Sequence, residues 1–512
     1  MAGRQLMMFL SAVAVALLAA SSAASETHGM IGVEWDKGLR TSKTAVSIAM
    51  CVEPPLRRGS PIHDQLFEAV RDLRGDYVRF VPWHPYPKLA VVELEPPHDG
   101  KTFWDFSAMD SILIDFMQAT AGHPVVMNIS TIPQWMFKTD KPVLYPSDPD
   151  EITWNYEQGT ELRDATMKEV ADYWARVASW YTQGGFKDEY GQWHQSGHHY
   201  KFAYWEVLNE VDYEHKMSPE FYTSLYDAIV PAVRQAAPGM RFMGMSLTYR
   251  GAMKPEYFEY FLNTKNHQSG IPLDAISYHF YAFPAPDESM EVMQHTFFTQ
   301  ADGFINCVRF IESIRKRLSP QTATHVNEVE TILPDSLAVP LIKPIPDSYW
   351  NLSGAMFAYI YAKLVLMGID VVHESELISY PGQYAGTTLV DWNTGRPNAR
   401  YGVLKLLREN FGPGDKLVMT QVRLPAPPEA GDDPSERDYV YAQGFVTGEQ
   451  KRKILLINKR DQDFEMTIPG ADRAQVEYVD QTTNSKATRK TSLPDNHITL
   501  HGFAVAVVTF AE

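Results

Sequence analysis

Residues 204–212 read YWEVLNEVD, an apolar run typical of a buried strand that ends in an amide followed by a carboxylate. Residues 324–331, THVNEVET, repeat this arrangement far downstream in the chain. If both segments are strands of one parallel sheet, their carboxyl ends lie at the same edge. Two glutamates that are distant in sequence would then meet.

Side chains alternate between the two faces of a strand, and this rule predicts which residues of each segment share a face. The predicted shared-face sets are Glu206, Leu208 and Glu210 in the first segment and Val326, Glu328 and Glu330 in the second.

Strand-like segments alternate with amphipathic helical patterns from about residue 44 to residue 410. The predicted strands are 45–51, 77–82, 124–130, 202–210, 241–246, 274–281, 325–330 and 370–375. Predicted helices between them include 61–73, 109–121, 164–182, 219–236, 301–318 and 352–367. Eight such units predict an α/β fold, a (β/α)₈ TIM barrel. A doubly wound open sheet is the alternative, but no glycine-rich phosphate turn follows the first strand.

The organisation outside the barrel follows from composition and from short strand patterns. Residues 1–24 combine Arg4, an apolar run and small residues, which predicts a cleaved signal peptide and a secreted protein. Residues 25–43 are expected to form an N-terminal strand that packs with a C-terminal β-sandwich. The barrel is expected to span 44–411 and the sandwich 412–512, where short strands are separated by turns and by a surface loop at 424–434.

The overall charge limits the partners of the protein. The chain of 512 residues carries 46 Lys and Arg against 63 Asp and Glu, a formal net charge of −17. Nucleic acid is excluded as a partner because its binding depends on cationic residues, and an anionic membrane surface is disfavoured. The only two cysteines, Cys51 and Cys307, are expected to be free thiols rather than a disulfide framework.

Two carboxylates that meet at a barrel mouth can hydrolyse glycosides. One protonates the leaving oxygen and the other attacks the anomeric carbon, provided that their environments keep one protonated and the other ionised. No cofactor or metal is needed for this chemistry. The adjacent His198 and His199 suggest a metal site only weakly, since their spacing is wrong for a shared helix face.

The segment YWEVLNEVD resembles the fourth-strand motif of clan A glycoside hydrolases, and especially of glycoside hydrolase family 39, which includes β-xylosidases and α-L-iduronidases. Other segments agree with this resemblance across the mature chain: VRF at 78–80, FWDF at 103–106, PQWM at 133–136, SYHFY at 277–281 and GRPNARY at 395–401. The resemblance implies a TIM barrel with an appended β-sandwich and an oligosaccharide or polysaccharide substrate.

The resemblance also implies roles for individual residues. Glu210 matches the general acid/base, Glu328 the nucleophile, and Asn209 the amide that binds the sugar hydroxyl next to the anomeric carbon. Glu330 is the alternative nucleophile, because it shares the predicted face of Glu328. His279 and Tyr281 alternate on one strand and match residues that bind the nucleophile or the sugar.

Other candidate substrate-binding residues follow from their chemistry. Arg79 lies in an apolar strand and needs a buried partner, for which Glu206 or the nucleophile is the natural candidate. Aromatic rings stack on sugars, so Trp83, Trp135 and Trp392 are candidate platforms, with Trp135 the best placed. His84 lies in a loop that could contact the non-reducing sugar.

We therefore expect a secreted retaining glycoside hydrolase, β-xylosidase-like in its substrate. Two alternatives stay open. The same chemistry could act on an arabinose- or uronic-acid-containing glycan, and an acidic sugar would require cations such as Arg57, Arg58 and Lys138 around the pocket. A non-catalytic carbohydrate-binding barrel is the second alternative. The oligomeric state, the linkage and exo versus endo action are open at this stage.

Overall fold

A computed structural model describes residues 28–140, 145–154, 161–249, 251–424, 438–483 and 488–511. The predicted signal peptide at 1–24 and residues 425–434 of the predicted surface loop lie outside the described residues. Within the described part of the chain, no helix has the length and apolar character required to cross a bilayer.

Strands and helices alternate along most of the chain, as the sequence pattern predicts. The strands up to the end of the barrel are β1 (Gly29–Thr41), β2 (Ala45–Val52), β3 (Val78–Pro82), β4 (Val125–Ile129), β5 (Gly185–Lys187), β6 (Trp193–Gln195), β7 (Tyr204–Val207), β8 (Arg241–Leu247), β9 (Ala275–Ala282), β10 (Ala323–Thr331) and β11 (Val371–Glu374). The helices are α1 (His63–Leu73), α2 (Pro87–Ala90), α3 (Ser107–Ala119), α4 (Lys168–Thr182), α5 (Pro219–Ala236), α6 (Pro255–Phe261), α7 (Met290–Leu318), α8 (Asp347–Met367) and α9 (Ala399–Asn410).

Eight parallel strands close into a barrel in the order β2-β3-β4-β7-β8-β9-β10-β11, with β11 pairing back to β2. Each of the eight predicted strands overlaps one of these, so the TIM-barrel prediction is confirmed. The small hairpin β5–β6 is an insertion between the third and fourth barrel strands.

The C-terminal part of the chain forms a second, mainly antiparallel sheet. Its strands are β12 (Lys416–Arg423), β13 (Val440–Val446), β14 (Arg452–Asn458), β15 (Phe464–Thr467), β16 (Gln475–Val479), β17 (Arg489–Ser492), β18 (His497–Leu500) and β19 (Val505–Thr509). The N-terminal strand β1 belongs to this sheet, antiparallel to β12 and parallel to β15.

Strand β14 shows why this sheet is apolar on both faces. Leu455 and Ile457 belong to the same apolar cluster as the barrel and its helices. The alternate residues Ile454 and Leu456 belong to a second cluster, which also contains Met466 of β15 and side chains of β18. Because strands from distant parts of the sheet share this second cluster, the sheet folds back on itself as a sandwich, with one outer face packed on the barrel.

Candidate active site

Arg79 of β3 lies at the centre of the barrel mouth and is fully buried. Its Nε donates to Oε2 of Glu206 at 2.6 Å, and Nη1 donates to Oε1 of Glu328 at 2.6 Å. Nη2 donates to Oδ1 of Asn209 at 2.7 Å and to Oγ of Ser246 at 3.0 Å. Burial alone would lower the pKa of Arg79, but the charges of Glu206 and Glu328 raise it above its usual value. Arg79, a residue of β3, therefore links side chains of β7 and of the loop after it with side chains of β8 and β10.

Glu206 is the buried counter-charge beneath the site. It accepts hydrogen bonds from Asn128 Nδ2 at 2.8 Å, Ser277 Oγ at 2.5 Å and Asn327 Nδ2 at 2.7 Å, in addition to Arg79. Burial would raise the pKa of this carboxyl, but the Arg79 charge and these hydrogen bonds lower it below its usual value. Glu206 is thus held ionised, and it does not line the cavity.

Glu328 receives donors on both carboxylate oxygens. Oε1 accepts from Arg79, whereas Tyr281 donates its hydroxyl to Oε2 at 2.5 Å. Nδ1 of His279 lies 3.1 Å from the same Oε2. Glu328 is thus held by a guanidinium, a phenol and an imidazole.

Glu210 lies in a different environment. The backbone angle φ is positive at Glu210 (40°) and at Leu208 (64°). Oε1 of Glu210 lies 3.0 Å from Nδ1 of His279. Burial raises the pKa of Glu210 to about 7, and the negative charges of Glu214 and Glu328 add to this effect while His279 opposes it. The surroundings of Glu210 therefore favour its protonated form up to about pH 7.

The two carboxyl groups meet at His279. One oxygen of Glu210, one oxygen of Glu328 and a ring nitrogen of His279 all lie within 4.8 Å of one another. In retaining glycoside hydrolases the two carboxyls are about 5–5.5 Å apart, whereas inverting enzymes leave roughly 6.5–9.5 Å for a water. The same three side chains form the one set in the described chain that is spaced to hold a metal ion. An ion bound there would lie between the carboxyl groups of Glu210 and Glu328.

A contact with Ser246 orients the ring of His279. Its Nε2 lies 2.7 Å from Oγ of Ser246, which in turn donates to Oδ1 of Asn209 at 2.9 Å. Burial would lower the pKa of His279, but the charge of Glu328 and the hydrogen bond to Glu210 raise it. The ring is fixed between the two carboxyls and the floor of the site.

An open cavity lies above the acid pair. Carboxyl groups of Glu210, Glu214, Glu328 and Glu376 line it, together with the thiol of Cys51. Aromatic side chains form much of the remaining wall: Trp83, Trp154, Tyr213, Tyr249, Tyr281, Phe283 and Tyr384. Trp83, Trp154 and Tyr384 are mutual neighbours, with ring centroids 5.4–6.4 Å apart. This is a cavity in which a sugar ring can contact aromatic faces and reach both acids.

Most of the residues predicted from sequence come together here. Glu210, Glu328, Asn209, Tyr281 and His84 line the cavity. Arg79 and His279 lie directly beneath it and are fully buried, so they reach a bound sugar only through the residues that they hold.

Trp135 is not part of this cavity. Its Nε1 donates to the backbone oxygen of Glu93 at 2.8 Å, and the Arg163 guanidinium covers its ring at 4.4 Å. The short helical turn Gln134–Met136 directs the indole to a separate surface cavity. Of the three candidate tryptophan platforms, the structure brings only Trp83 to the acid pair, since Trp392 lines another surface depression.

Glu330, the alternative nucleophile, has different partners from Glu328 and lies outside the cavity. The pairing of β10 with β9 shifts register between Val326 and Glu328 and is regular from Glu328 to Glu330, so the shift separates Val326, not Glu330, from the pattern of Glu328. Glu330 instead accepts hydrogen bonds from the Thr331 amide at 2.7 Å and from Ser353 of α8 at 3.1 Å, and it pairs with Arg400. It does not line the cavity, so Glu328 is the glutamate of β10 that faces Glu210.

Several residues of the site were missed in the sequence. Ser246 lies at the end of the fifth barrel strand and Glu376 just after the eighth, so the rule that strand ends carry function would have selected them. Glu214 lies in the loop after β7, where it accepts from Trp83 Nε1 at 2.7 Å and from Asn209 Nδ2 at 3.1 Å. Trp154 comes from a long irregular segment that carries no periodic signal. The two cysteines are free, and Cys51 lies in the cavity wall.

No protein-family model matches the sequence, and no curated protein matches it. The fold is similar to that of several solved structures. A GH51 arabinofuranosidase from Xanthomonas axonopodis pv. citri matches with a TM-score of 0.63 at 11% identity, over 95% of this chain and 100% of that chain. A GH39 β-xylosidase from Caulobacter crescentus matches with a TM-score of 0.57 at 14% identity, over 94% and 100%. A GH30 endoxylanase from Clostridium papyrosolvens C71 matches with a TM-score of 0.54 at 14% identity, also over 94% and 100%. At such identities the likeness concerns the fold, a TIM barrel with an appended β domain, along nearly the whole chain.

Proposed function

We propose that this protein is a secreted, retaining glycoside hydrolase that cleaves O-glycosidic bonds of a plant- or microbe-derived glycan. The observation that carries the proposal is the approach of Glu210 and Glu328 to within 4.8 Å across His279, in a cavity open to solvent. The similarity of the fold to arabinofuranosidase, xylosidase and xylanase structures agrees with it.

In the first step Glu210 donates its proton to the glycosidic oxygen while an oxygen of Glu328 attacks the anomeric carbon. The bond from the anomeric carbon to the leaving oxygen breaks, and the aglycone leaves as an alcohol. A covalent ester between the sugar and Glu328 remains. The raised pKa of Glu210 supports the role of proton donor, because it keeps this carboxyl protonated up to about pH 7.

In the second step Glu210, now ionised, takes a proton from a water molecule that attacks the same carbon. The ester bond breaks, Glu328 leaves as a carboxylate and Glu210 regains its proton. Arg79 and Tyr281 stabilise the departing carboxylate through the hydrogen bonds that they donate to it. Two inversions at one carbon give net retention of configuration.

Asn209 is positioned to bind the sugar hydroxyl next to the anomeric carbon. Its Oδ1 accepts from Arg79 and Ser246, and one Nδ2 hydrogen points to Glu214. The amide orientation is thereby set, and the second Nδ2 hydrogen is available to a ligand in the cavity. Such a contact strengthens in the transition state.

For the substrate we propose a β-xylosidase-like specificity, with an arabinoside as the second candidate because of the likeness to the GH51 arabinofuranosidase. The cations considered for an acidic sugar are used elsewhere: Arg57 pairs with Asp150, Arg58 with Asp115 and Lys138 with Glu161. None of these cations lines the cavity.

The test is hydrolysis of a panel of nitrophenyl glycosides by wild type and variants. Glu210→Ala and Glu328→Ala should each lower turnover severely. Azide should partly rescue Glu328→Ala and give a glycosyl azide of inverted configuration, which NMR identifies. Glu93→Gln is the matched control, because Glu93 is fully buried, lies outside the cavity and should tolerate the change without loss of turnover.

Full activity in either alanine variant would refute the assignment. Saccharide binding by the wild type without hydrolysis of any offered glycan would instead identify a non-catalytic carbohydrate-binding barrel.

A further inference from the structure

A second pair of acids, Glu53 and Glu376, lies at the wall of the cavity and takes no part in the proposed reaction. Glu376 follows β11 and lines the cavity, whereas Glu53 follows β2 and is fully buried behind it. Oε1 of Glu376 accepts from Thr387 at 3.0 Å, and Oε1 of Glu53 accepts from Gln383 at 2.8 Å. Both donors are neutral groups.

Four other buried glutamates of the barrel are compensated by a guanidinium. Arg79 pairs with Glu206 and Glu328, and Arg400 pairs with Glu330 and with Glu374. A buried carboxylate without a cation is costly, which is why such groups are usually paired.

The Glu53–Glu376 pair lacks such a partner. No cation is among the described groups that act most strongly on either carboxyl; these groups are the acids themselves, Glu328 and the neutral side chains of Cys51, Thr387, Ser379 and Gln383. Oε2 of Glu53 is buried and has no hydrogen-bond partner in the described chain. Burial raises the pKa of both carboxyls, that of Glu376 to about 7; the charge of Glu376 adds to the effect on Glu53, and the charge of Glu328 adds to the effect on Glu376. A cation that enters from the cavity would therefore displace a proton from this pair and be held by an ionised carboxylate.

The chemistry of the pair favours an ammonium over a divalent metal ion. Glu53 and Glu376 are not joined by a third carboxylate, thiol or imidazole at metal-ligand spacing in the described residues, where the only such group is Glu210, His279 and Glu328. A protonated amine needs only acceptors and nearby negative charge, and its hydrogen bonds to carboxylates are the strong, charge-assisted kind.

We propose that the Glu53–Glu376 pair forms a subsite for a protonated amine, so that the cavity binds an amine-bearing sugar more tightly than its neutral counterpart and a uronic acid least. Glu376, which lines the cavity, loses its proton and contacts the ammonium, and Glu53 lies behind it. The inference rests on the proposed function only in that a sugar occupies the cavity. Neutral sugars remain ligands, since hydroxyl groups also donate to carboxylates.

The test is binding rather than hydrolysis, measured by calorimetry or ligand-observed NMR at slightly acidic pH, where an amine is protonated. The probes are D-glucosamine, D-glucose, N-acetyl-D-glucosamine and D-glucuronate, which separate charge from size. One charge-assisted hydrogen bond corresponds to a preference of roughly tenfold for glucosamine over glucose. Release of a proton on glucosamine binding, seen as a buffer-dependent enthalpy, is also expected.

Glu376→Gln should abolish the preference for glucosamine, and Glu53→Gln should reduce it. Glu214→Gln is the matched control, because it removes a negative charge from the same cavity but leaves the pair intact, and the preference should persist. Equal binding of glucosamine and glucose by the wild type would overturn the inference, as would an equal loss of preference in Glu214→Gln and Glu376→Gln. If the wild type shows the preference but hydrolyses no glycoside, the proposed function fails and the amine subsite stands.

Discussion

At the scale of single residues, the site is controlled by the way in which each carboxyl is surrounded. Glu328 faces a guanidinium, a phenol and an imidazole, whereas Glu210 faces His279 on one side and the acids Glu214 and Glu328 on the other. These different surroundings agree with the roles proposed for the two glutamates, Glu210 as acid/base and Glu328 as nucleophile.

The pKa of Glu210, raised to about 7, predicts the alkaline limit of activity. The carboxyl must be protonated to act as an acid, and raising its pKa extends the protonated form from the ordinary glutamate range up to about pH 7. We expect kcat/KM to fall above this pH, as measured with a nitrophenyl substrate. An alkaline limb near the ordinary pKa of glutamate would contradict the prediction.

Glu214→Gln should move that limb to lower pH. The negative charge of Glu214 contributes to the raised pKa of Glu210, and the pKa of Glu214 itself is lowered because His84 and the Trp83 hydrogen bond outweigh the effect of its burial. Glutamine keeps an acceptor for Asn209 but removes the charge. The measurement is the pH profile of kcat/KM beside that of Glu93→Gln, which should be unshifted. An unchanged limb in Glu214→Gln would assign Glu214 a purely structural part.

Arg79→Met should destabilise the fold as well as reduce turnover. The substitution leaves Glu206 buried without its counter-charge, and removing one partner of a buried ion pair costs about 3–5 kcal/mol. Because the folded-state pKa of Glu206 is lowered, its stabilising effect is present above its unfolded pKa and is lost as pH falls. Urea unfolding at neutral and acidic pH measures this loss. The double variant with Glu206→Gln should recover part of the stability, and a fully stable Arg79→Met would be inconsistent with the ion pair.

Among the elements, β7 and β8 depart from regular strand geometry at their ends, and this departure positions the residues of the site. Leu208 and Glu210 after β7, and Met245 and Ser246 within the end of β8, all have positive φ. The Glu210 amide donates to the Ser246 carbonyl at 2.9 Å, which joins the two ends. Such backbone is unfavourable for residues with a side chain and persists because the surroundings impose it.

Gly244→Ala tests this arrangement. A Cβ at Gly244 would lie 2.7 Å from the Phe261 ring and 3.0 Å from the Tyr222 hydroxyl, which donates to the Val207 carbonyl and accepts from the Met245 amide. We expect a loss of stability of about 1–3 kcal/mol from overpacking and a lower turnover because Ser246 shifts. Gly239→Ala is the control, since its Cβ would meet nothing within 4 Å. Thermal unfolding and kinetics of the two variants should differ clearly; equal behaviour would refute the packing argument.

At the scale of the whole molecule, the barrel and the C-terminal sheet share one apolar core. The cluster that contains the barrel helices also contains Leu455 and Ile457 of β14 and Val505 and Val507 of β19. Helix α9 packs closely on this sheet, since a Cβ at Gly402 would lie 3.2 Å from Val479.

A chain that ends at residue 411 should therefore not fold as a soluble barrel. The truncation would expose the faces of α8 and α9 that pack against the sheet and would leave β1 without β12 and β15. Exposure of a large apolar surface favours aggregation. Expression, solubility and circular dichroism of the truncated chain are the measurements, with the full chain as control. A soluble, active truncation would show that the barrel from 44 to 411 is independent.

The order of elements can be predicted from the amino-acid sequence, because hydrophobic periodicity and strand-terminal residues are local properties of the chain. The sequence therefore identified all eight barrel strands and placed Glu210 and Glu328 at strand ends. Which of the neighbouring side chains face the cavity depends on tertiary packing. Contacts with Arg400 and with Ser353 of α8 hold Glu330 outside the cavity, and the turn Gln134–Met136 takes Trp135 to another surface. Positive φ values after β7 similarly replaced the predicted alternation. Such departures arise from packing between segments far apart in the chain, and no local pattern records them.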